Sequence, residues 1–485
     1  MMNIDKDLLA IQEVRNLVKK AKEAQRILAT FSQEEIDRIV QAMAEEGIKA
    51  SRWLAKVAVE ETEIGKYEDK IIKNLFSTKK VYDSIKNLKT VGIIYEEKEK
   101  RVYHIAEPVG VIAALTPTTN PTSTAFFKSL ISIKSRNAVI FSPHPRAVDC
   151  TCQAAEIMHK AAVHAGAPEG IIGCIHYPTL DATNQLMTHP DISVILATGG
   201  SGMVKAAYSS GKPAFGVGPG NVPAYIERSA NAKKAVKAIF DSKTFDYGTI
   251  CSSEQSLICE KLNANEVREA IKEQGGVFLN EEEIHKLERF AFRCDGSLSP
   301  AIVGKSAVAI AQSAGFKVDP NTRVLLAELS GVGMEYPLSR EKLSPVLAYY
   351  EVENWQEACE LSKRLLALGG MGHTLSIHSE DKEVITRFAL EKPASRIVVN
   401  TPSCLGAIGG TTGLTPSLTL GCGSFGGNST SDNIGPMNLL NIKRLAYEIK
   451  SPEELTAELL AAEADGDSEE ELVKKIVKEV LKKIS

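Results

Sequence analysis

This sequence has no basic excess, no long apolar run and no paired cysteine framework, and each absence removes a class of function. Its 57 Lys and Arg stand against 61 Asp and Glu, a net charge of −4. That balance gives no electrostatic footprint for a nucleic-acid partner. The opening MMNIDKDLLAIQEV places charge among its first residues, without the basic start and apolar core of a secretory signal. The uncharged stretch 109–127 carries five threonines, two prolines and an asparagine. Those polar groups argue against a membrane span, so no membrane partner is expected. The nine cysteines are odd in number and form no repeated CxxC pairs. A reduced, cytoplasmic chain is the simplest reading. Cys150 and Cys152 make a CxC, but no second pair completes a zinc site, and no metal is expected.

What is present is ordinary globular material, 44% hydrophobic and 24% charged. At roughly 100–200 residues per domain, the length suggests about two or three domains. The first 90 residues read as helices, with Leu8, Leu9, Ile11, Val14, Leu17 and Val18 at helical spacing. Ser32 followed by Glu35 predicts a capping box. Residues 91–105 hold two β-rich runs around the charged EEKEK, which predicts a projecting hairpin.

Short apolar runs then alternate with helical stretches. Strands are expected at 109–115, 137–141, 170–175 and 192–198, then at 322–329 and 346–352. Helices are expected at 147–165, 230–241 and 264–274, and SSEQSLICE reads as helix or strand. Such alternation predicts an α/β fold of parallel sheets covered on both faces. The Gly, Ser, Thr and Pro-rich stretch 400–437 is expected to line a site or an interface.

Four segments could carry chemistry, and each has a bland reading beside the functional one. Cys251, in YGTICSSEQ, could sit exposed on a turn as a thiolate nucleophile; alone it also reads as a core cysteine. Asn120, in TPTTNP after the 109–115 strand, could donate to a developing oxyanion; alone it reads as a turn residue before proline. Thr198, Gly199, Gly200, Ser201 and Gly202 join a strand to a helix, which makes a phosphate cradle of backbone N–H groups without GxGxxG spacing. FGVGPGN, with Gly216 and Gly218, contains GxGxG, but the proline inside it and the strand-like VPAYIE after it oppose a dinucleotide loop.

In this order the segments resemble the aldehyde dehydrogenase superfamily, and above all its coenzyme-A-acylating branch. EPVGVIAALTPTTNPTSTAFFK, SGKPAFGVGPGNVPAYIE and GCGSFGGNS carry the resemblance, which covers roughly residues 5–450. It implies two Rossmann-like α/β domains with a β-hairpin oligomerisation arm, and a homo-oligomer. Residues 1–228 would bind NAD and coenzyme A, and 229–419 would carry Cys251. Residues 420–450 would return to the cofactor domain or the oligomer contact.

The resemblance also implies roles. Cys251 is the nucleophile, and Asn120 with the Cys251 N–H forms the oxyanion hole. His373, in GGMGHT, lies near the site, where it reads equally as a structural histidine. Thr198 to Gly202 meet the NAD pyrophosphate, with Gly216 and Gly218 beside the cofactor. Ser142, Pro143 and His144 hold the adenosine ribose, and Glu341 the nicotinamide ribose. NAD is the expected cofactor, NADP is not excluded, and coenzyme A is the co-substrate. Hydrolytic members activate water with a glutamate in a motif like ELGGKSP; here that position matches Gly216. Without such a base water is a poor attacker, while a thiol of pKa roughly 8.5 needs less help. The expected reaction is therefore reversible oxidation of a small aldehyde to acyl-coenzyme A. A phosphate-linked semialdehyde dehydrogenase of the same fold and a catalytically idle scaffold are the alternatives.

The last 35 residues lie outside the resemblance. Residues 451–467 read as a flexible acidic linker and 468–485 as an amphipathic helix, with Ser468 and Glu471 as its capping box. Leu472, Val473, Ile476, Val477, Val480, Leu481 and Ile484 form one stripe. This tail resembles the peptides that send enzymes into bacterial microcompartments, which implies shell proteins as partners. A helix folded onto its own body or oligomer, or one lying on an anionic membrane, are the alternatives.

Overall fold

The computed structural model describes residues 5–465 and 469–484. The chain divides into a small unit, Val91–Glu107 with Ile442–Ser485, and a large one formed by the rest.

The small unit starts with the expected hairpin. β1 (Gly92–Glu97) runs antiparallel to β2 (Val102–Pro108), with a register slip between Ile93 and Tyr95. Residues 98–101 make the turn, and Arg101 takes a left-handed φ of 52° there.

The large unit opens with helices. Ser32 accepts from Glu35 N at 3.2 Å and Glu35 accepts from Ser32 N at 2.7 Å, the predicted capping box at the head of helix Gln33–Thr62. A five-stranded parallel sheet follows: β3 (Val111–Thr116), β4 (Ala138–Pro143), β5 (Ile172–Cys174), β6 (Ile192–Thr198) and β7 (Ala214–Val217), in the order β5-β4-β3-β6-β7. β3 and β4 are buried at every residue, so their sequences read as unbroken apolar runs.

A seven-stranded parallel sheet comes next: β8 (Val222–Ile226), β9 (Glu254–Glu260), β10 (Gly276–Phe278), β11 (Val324–Glu328), β12 (Val346–Val352), β13 (Gly372–His378) and β14 (Ala394–Val399). Their order is β10-β11-β12-β9-β8-β13-β14. Adjacent residues serve opposite faces. Leu257 and Cys259 pack with Val236, Ile239 and Phe240 on one side, and Ile258 with Leu365, Leu366 and Phe388 on the other. SSEQSLICE resolves as strand β9, which pairs with a neighbour on each side. β8 belongs to this second sheet, although it precedes the expected boundary at 228/229.

β15 (Leu440–Ala446) returns to extend the hairpin sheet in the order β1-β2-β15. The expected flexible linker is instead helical at Pro452–Asp465. Ser451 and Glu454 cap that helix reciprocally at 3.1 and 2.8 Å, proline opens it, and Ala, Glu and Leu fill it. The final helix spans Glu469–Ile484. Ser468, expected to cap it, lies outside the described residues. Among the described residues no helix is long and apolar enough to cross a membrane.

Candidate active site

A cleft of about 450 Å³ runs through the large unit. One wall is the carboxyl edge of the five-stranded sheet: Thr116 and Asn120 follow β3, Ser142 to His144 end β4, Thr198 to Gly200 end β6, and Val217 and Gly218 end β7. The other wall is built from residues that precede strands of the second sheet, Cys251 before β9 and Glu341 before β12. Open parallel sheets place ligands at their carboxyl edge, and this cleft obeys that rule.

Cys251 follows a 3-10 turn, Phe245–Gly248, in which Asp246 and Tyr247 hold left-handed φ values of 47° and 52°. It is half-buried and packs with Phe76, Phe245, Leu405, Ile408, Leu418 and Leu420 in one apolar cluster. Burial pushes its thiol up to about 12, Glu341 and Cys422 push the same way, and Arg396 pulls back. His373, near the start of β13, brings its Nε2 to 3.2 Å from Cys251 Sγ. Its Nδ1 lies 2.9 Å from Thr374 Oγ1. Burial, helped by the charge of Arg396, lowers His373 to about 3, so it is neutral at physiological pH. With Nδ1–H donating to Thr374, Nε2 presents a lone pair to the thiol. Arg396 anchors this strand by donating to His373 O at 2.9 Å and Gly421 O at 2.6 Å.

Asn120 caps the helix Pro121–Lys134. Its Nδ2 donates to Thr119 Oγ1 at 3.1 Å, and its Oδ1 accepts from Lys73 Nζ at 2.5 Å. Glu341 is the single acidic side chain lining the cleft among the described residues, and its Oε1 accepts from Gly220 N at 3.0 Å. Burial raises it to about 7. Gly220 is required by a close approach: a Cβ there would sit 2.0 Å from Cys251 O.

The expected cofactor residues divide. Ser142, Pro143, His144, Thr198, Gly199, Gly200, Gly218 and Glu341 line the cleft. Ser142 Oγ lies 2.9 Å from Thr183 Oγ1, and His144 Nδ1 accepts from Arg146 N at 3.1 Å. Ser201 and Gly202 open the following helix, and Gly202 does not line it. Gly216 does not line it either. A Cβ there would meet Val204 and Tyr208 at 2.7 Å, so a glutamate at 216 has no room. Val217, the next residue, lines the cleft instead, so this stretch offers it an apolar side chain and no carboxylate. The cleft fits a dinucleotide. Thr116 Oγ1 and Thr198 Oγ1 are buried along it with no hydrogen-bond partner, and a Cβ at Gly200 would meet nothing within 4 Å.

The two sulfurs of the CxC meet different partners. Cys150 Sγ donates to Ala147 O, while Cys152 Sγ lies 2.6 Å from Cys174 Sγ. Sequence reasoning missed Lys73, Arg146 and Arg396. Lys73 and Arg396 stand far from any motif. Arg146 stands two residues beyond His144, where a longer motif would have included it.

The aldehyde dehydrogenase family model matches residues 8–276. The chain belongs to the aldehyde dehydrogenase family. It is 47% identical over 441 residues to the bifunctional aldehyde-alcohol dehydrogenase AdhE of Escherichia coli K12, covering 90% of this chain and 49% of that protein. It thus spans about half the length of that curated relative. A solved acetylating aldehyde dehydrogenase from Geobacillus thermoglucosidasius is 54% identical, with a TM-score of 0.91, over 92% of this chain and 99% of that one. A propionaldehyde dehydrogenase from Rhodopseudomonas palustris, solved with bound propionyl-CoA, is 28% identical, with a TM-score of 0.82, over 90% and 94%.

Proposed function

We propose that this aldehyde dehydrogenase oxidises a small uncharged aldehyde with NAD and passes the acyl group to coenzyme A, reversibly. The observation that carries the reading is the Cys251–His373 pair, set in a cleft whose one carboxylate among the described residues is already engaged by Gly220. The acetylating relative and the propionyl-CoA complex support the acceptor.

Cys251 sulfur attacks the carbonyl carbon while its proton passes to the neutral His373 Nε2. The second Asn120 amide hydrogen and the Cys251 N–H meet the oxygen of the resulting thiohemiacetal. Thr198, Gly199 and Gly200 would hold the dinucleotide pyrophosphate, Ser142 to His144 its adenosine ribose, and Glu341 its nicotinamide ribose. When bound, the dinucleotide supplies the hydride acceptor, and Cys251 is left as a thioester. Val217 cannot recruit water, so the thioester waits for a thiol. The Phe76, Phe245, Leu405, Ile408, Leu418 and Leu420 cluster around Cys251 suits a short alkyl chain. A carboxylate or sulfonate on the substrate would need a cation beside Cys251; of the two that line the cleft among the described residues, Lys73 is paired with Asp246 and Arg146 stands by His144, at the proposed adenosine-ribose end.

The test is NADH and thioester formation from acetaldehyde and propionaldehyde, with and without coenzyme A. Turnover and acyl-CoA are expected only when the thiol is present. Free acid released equally fast without it would overturn the reading.

The three-stranded arm supports a homo-oligomer. Ile93, Tyr95, Leu445, Tyr447 and Ile449 are exposed on it, and so small a sheet gains stability from a further packing surface. The final helix exposes Leu472, Val473, Ile476, Val477, Val480 and Leu481 at 48–61%. That stripe supports docking to microcompartment shell proteins. Deleting 466–485 is expected to abolish co-sedimentation with shell proteins and to leave turnover intact; unchanged association would reject the docking.

A further inference from the structure

We infer that Lys73 is the positioning residue for the Asn120 amide, and that Asp246 ties this positioning to the turn that carries Cys251. The inference rests on the roles proposed above for Asn120 and Cys251.

Lys73 lies on the helix Tyr67–Leu75, buried at 4% exposure, with its end in the cleft wall. Its Nζ donates to Asn120 Oδ1 at 2.5 Å, to Thr249 Oγ1 at 2.8 Å and to Asp246 Oδ2. An ammonium has three hydrogens and no acceptor, so all three are spent. An amide has two faces of opposite hydrogen-bonding character. Facing an ammonium, Asn120 must present its oxygen, which turns Nδ2 the other way. Thr119 takes one Nδ2 hydrogen, and the second remains for the reacting carbonyl. Flipped, the same side chain would set a lone pair against a forming oxyanion.

Asp246 is fully buried, and its carboxylate is a junction. Oδ2 accepts from Lys73, from Lys70 Nζ at 3.1 Å and from Thr249 Oγ1 at 2.7 Å, and Oδ1 accepts from Lys66 N at 2.7 Å. Its own N–H donates to Asp69 Oδ2 at 2.7 Å. Burial alone would raise this carboxyl; Lys70 and Lys73 outweigh it and hold the group below its ordinary value. The left-handed backbone at Asp246 and Tyr247 is thus pinned from the helix that carries Lys73, and Cys251 follows five residues later. One buried ion cluster thereby sets the oxyanion donor and the nucleophile relative to each other.

The experiment compares Lys73→Met, Asn120→Ala and the double variant in acetaldehyde oxidation with NAD and coenzyme A. Iodoacetamide alkylation of Cys251 is followed alongside, because that displacement forms no oxyanion. Removing one oxyanion donor costs about 10²–10³-fold in kcat, and a misoriented one should cost roughly 10–100-fold. Lys73→Met is expected to lose that much kcat with the KM for NAD and the alkylation rate unchanged, because Lys70, Lys66 N and Thr249 still hold Asp246 and its turn. Added to Asn120→Ala, it should change kcat by less than about threefold, since a positioning residue has nothing left to position. Should the Met chain not fold, Lys73→Gln, which lacks the charge that fixes the amide, is read in the same cycle. Multiplicative losses in the double variant, wild-type kcat in the single one, or a parallel fall in alkylation would overturn the inference. Full activity of Asn120→Ala would instead overturn the parent reading.

Discussion

Cys251 and His373 form a pair in which neither partner is charged at neutral pH. A thiol pushed to about 12 and an imidazole lowered to about 3 both answer to the same dry surroundings. The pair is therefore neutral at rest, and on the proposed mechanism charge appears only as the C–S bond forms. The thiolate fraction of the cofactor-free enzyme should grow with pH across the whole neutral range. Alkylation of Cys251 by iodoacetamide is expected to rise about tenfold per pH unit between 7 and 9. A rate that levels off near pH 8 would contradict this. His373→Ala, which removes the proposed proton acceptor, should lower kcat by about 10²–10⁴-fold in steady-state assays.

At the scale of elements, the site depends on how closely the two sheets' edges approach. The segment between β7 and β8 passes directly over the Cys251 carbonyl, and Gly220 is the point of contact. Gly220→Ala should cost about 1–3 kcal/mol from overpacking, and it should depress turnover because Cys251 must shift. Urea unfolding with parallel kinetics would check both, and a variant of unchanged stability would refute the close approach. Buried parallel strands were legible because their residues are mostly apolar and β-branched or aromatic, as at β6 and β12, which match the expected 192–198 and 346–352. The hairpin was legible from its charged turn. The helix at Pro452–Asp465 was not, because acidic composition masks a reciprocal cap. That Val217 and not Gly216 borders the cleft was not legible, because letter matching cannot tell which of two successive strand residues faces it. Lys73 left no local trace, since its partners lie 47 and 173 positions away.

For the whole molecule, the interior holds titratable groups whose shifts oppose one another. Burial raises Glu254 to about 7 from an ordinary 4.5, so the native chain holds a proton there that the unfolded chain releases. That contribution is fully present below pH 4.5 and is lost as pH rises toward 7. Burial lowers Lys243 to about 7 from 10.5, so between those values the unfolded chain binds the extra proton and stability rises with pH. Together they place a shallow minimum near pH 7 in their joint contribution. Urea midpoints between pH 5 and 9 should flatten on the acid side in Glu254→Gln and on the alkaline side in Lys243→Met. An unaltered profile in both variants would show that these groups do not govern it.

The three-stranded arm also bears on how the chain is made. Arg101 in the hairpin turn donates to the carbonyl of Glu448, 347 positions further on. At about 5–20 residues per second, a ribosome needs roughly 20–70 s to deliver the third strand after the first two have emerged. Through that interval every nascent copy on a polysome carries an open strand edge within reach of its neighbours. The cluster of Glu96, Glu97, Lys98, Glu99, Lys100 and Arg101 at the tip keeps such copies in water and out of register until β15 closes the edge.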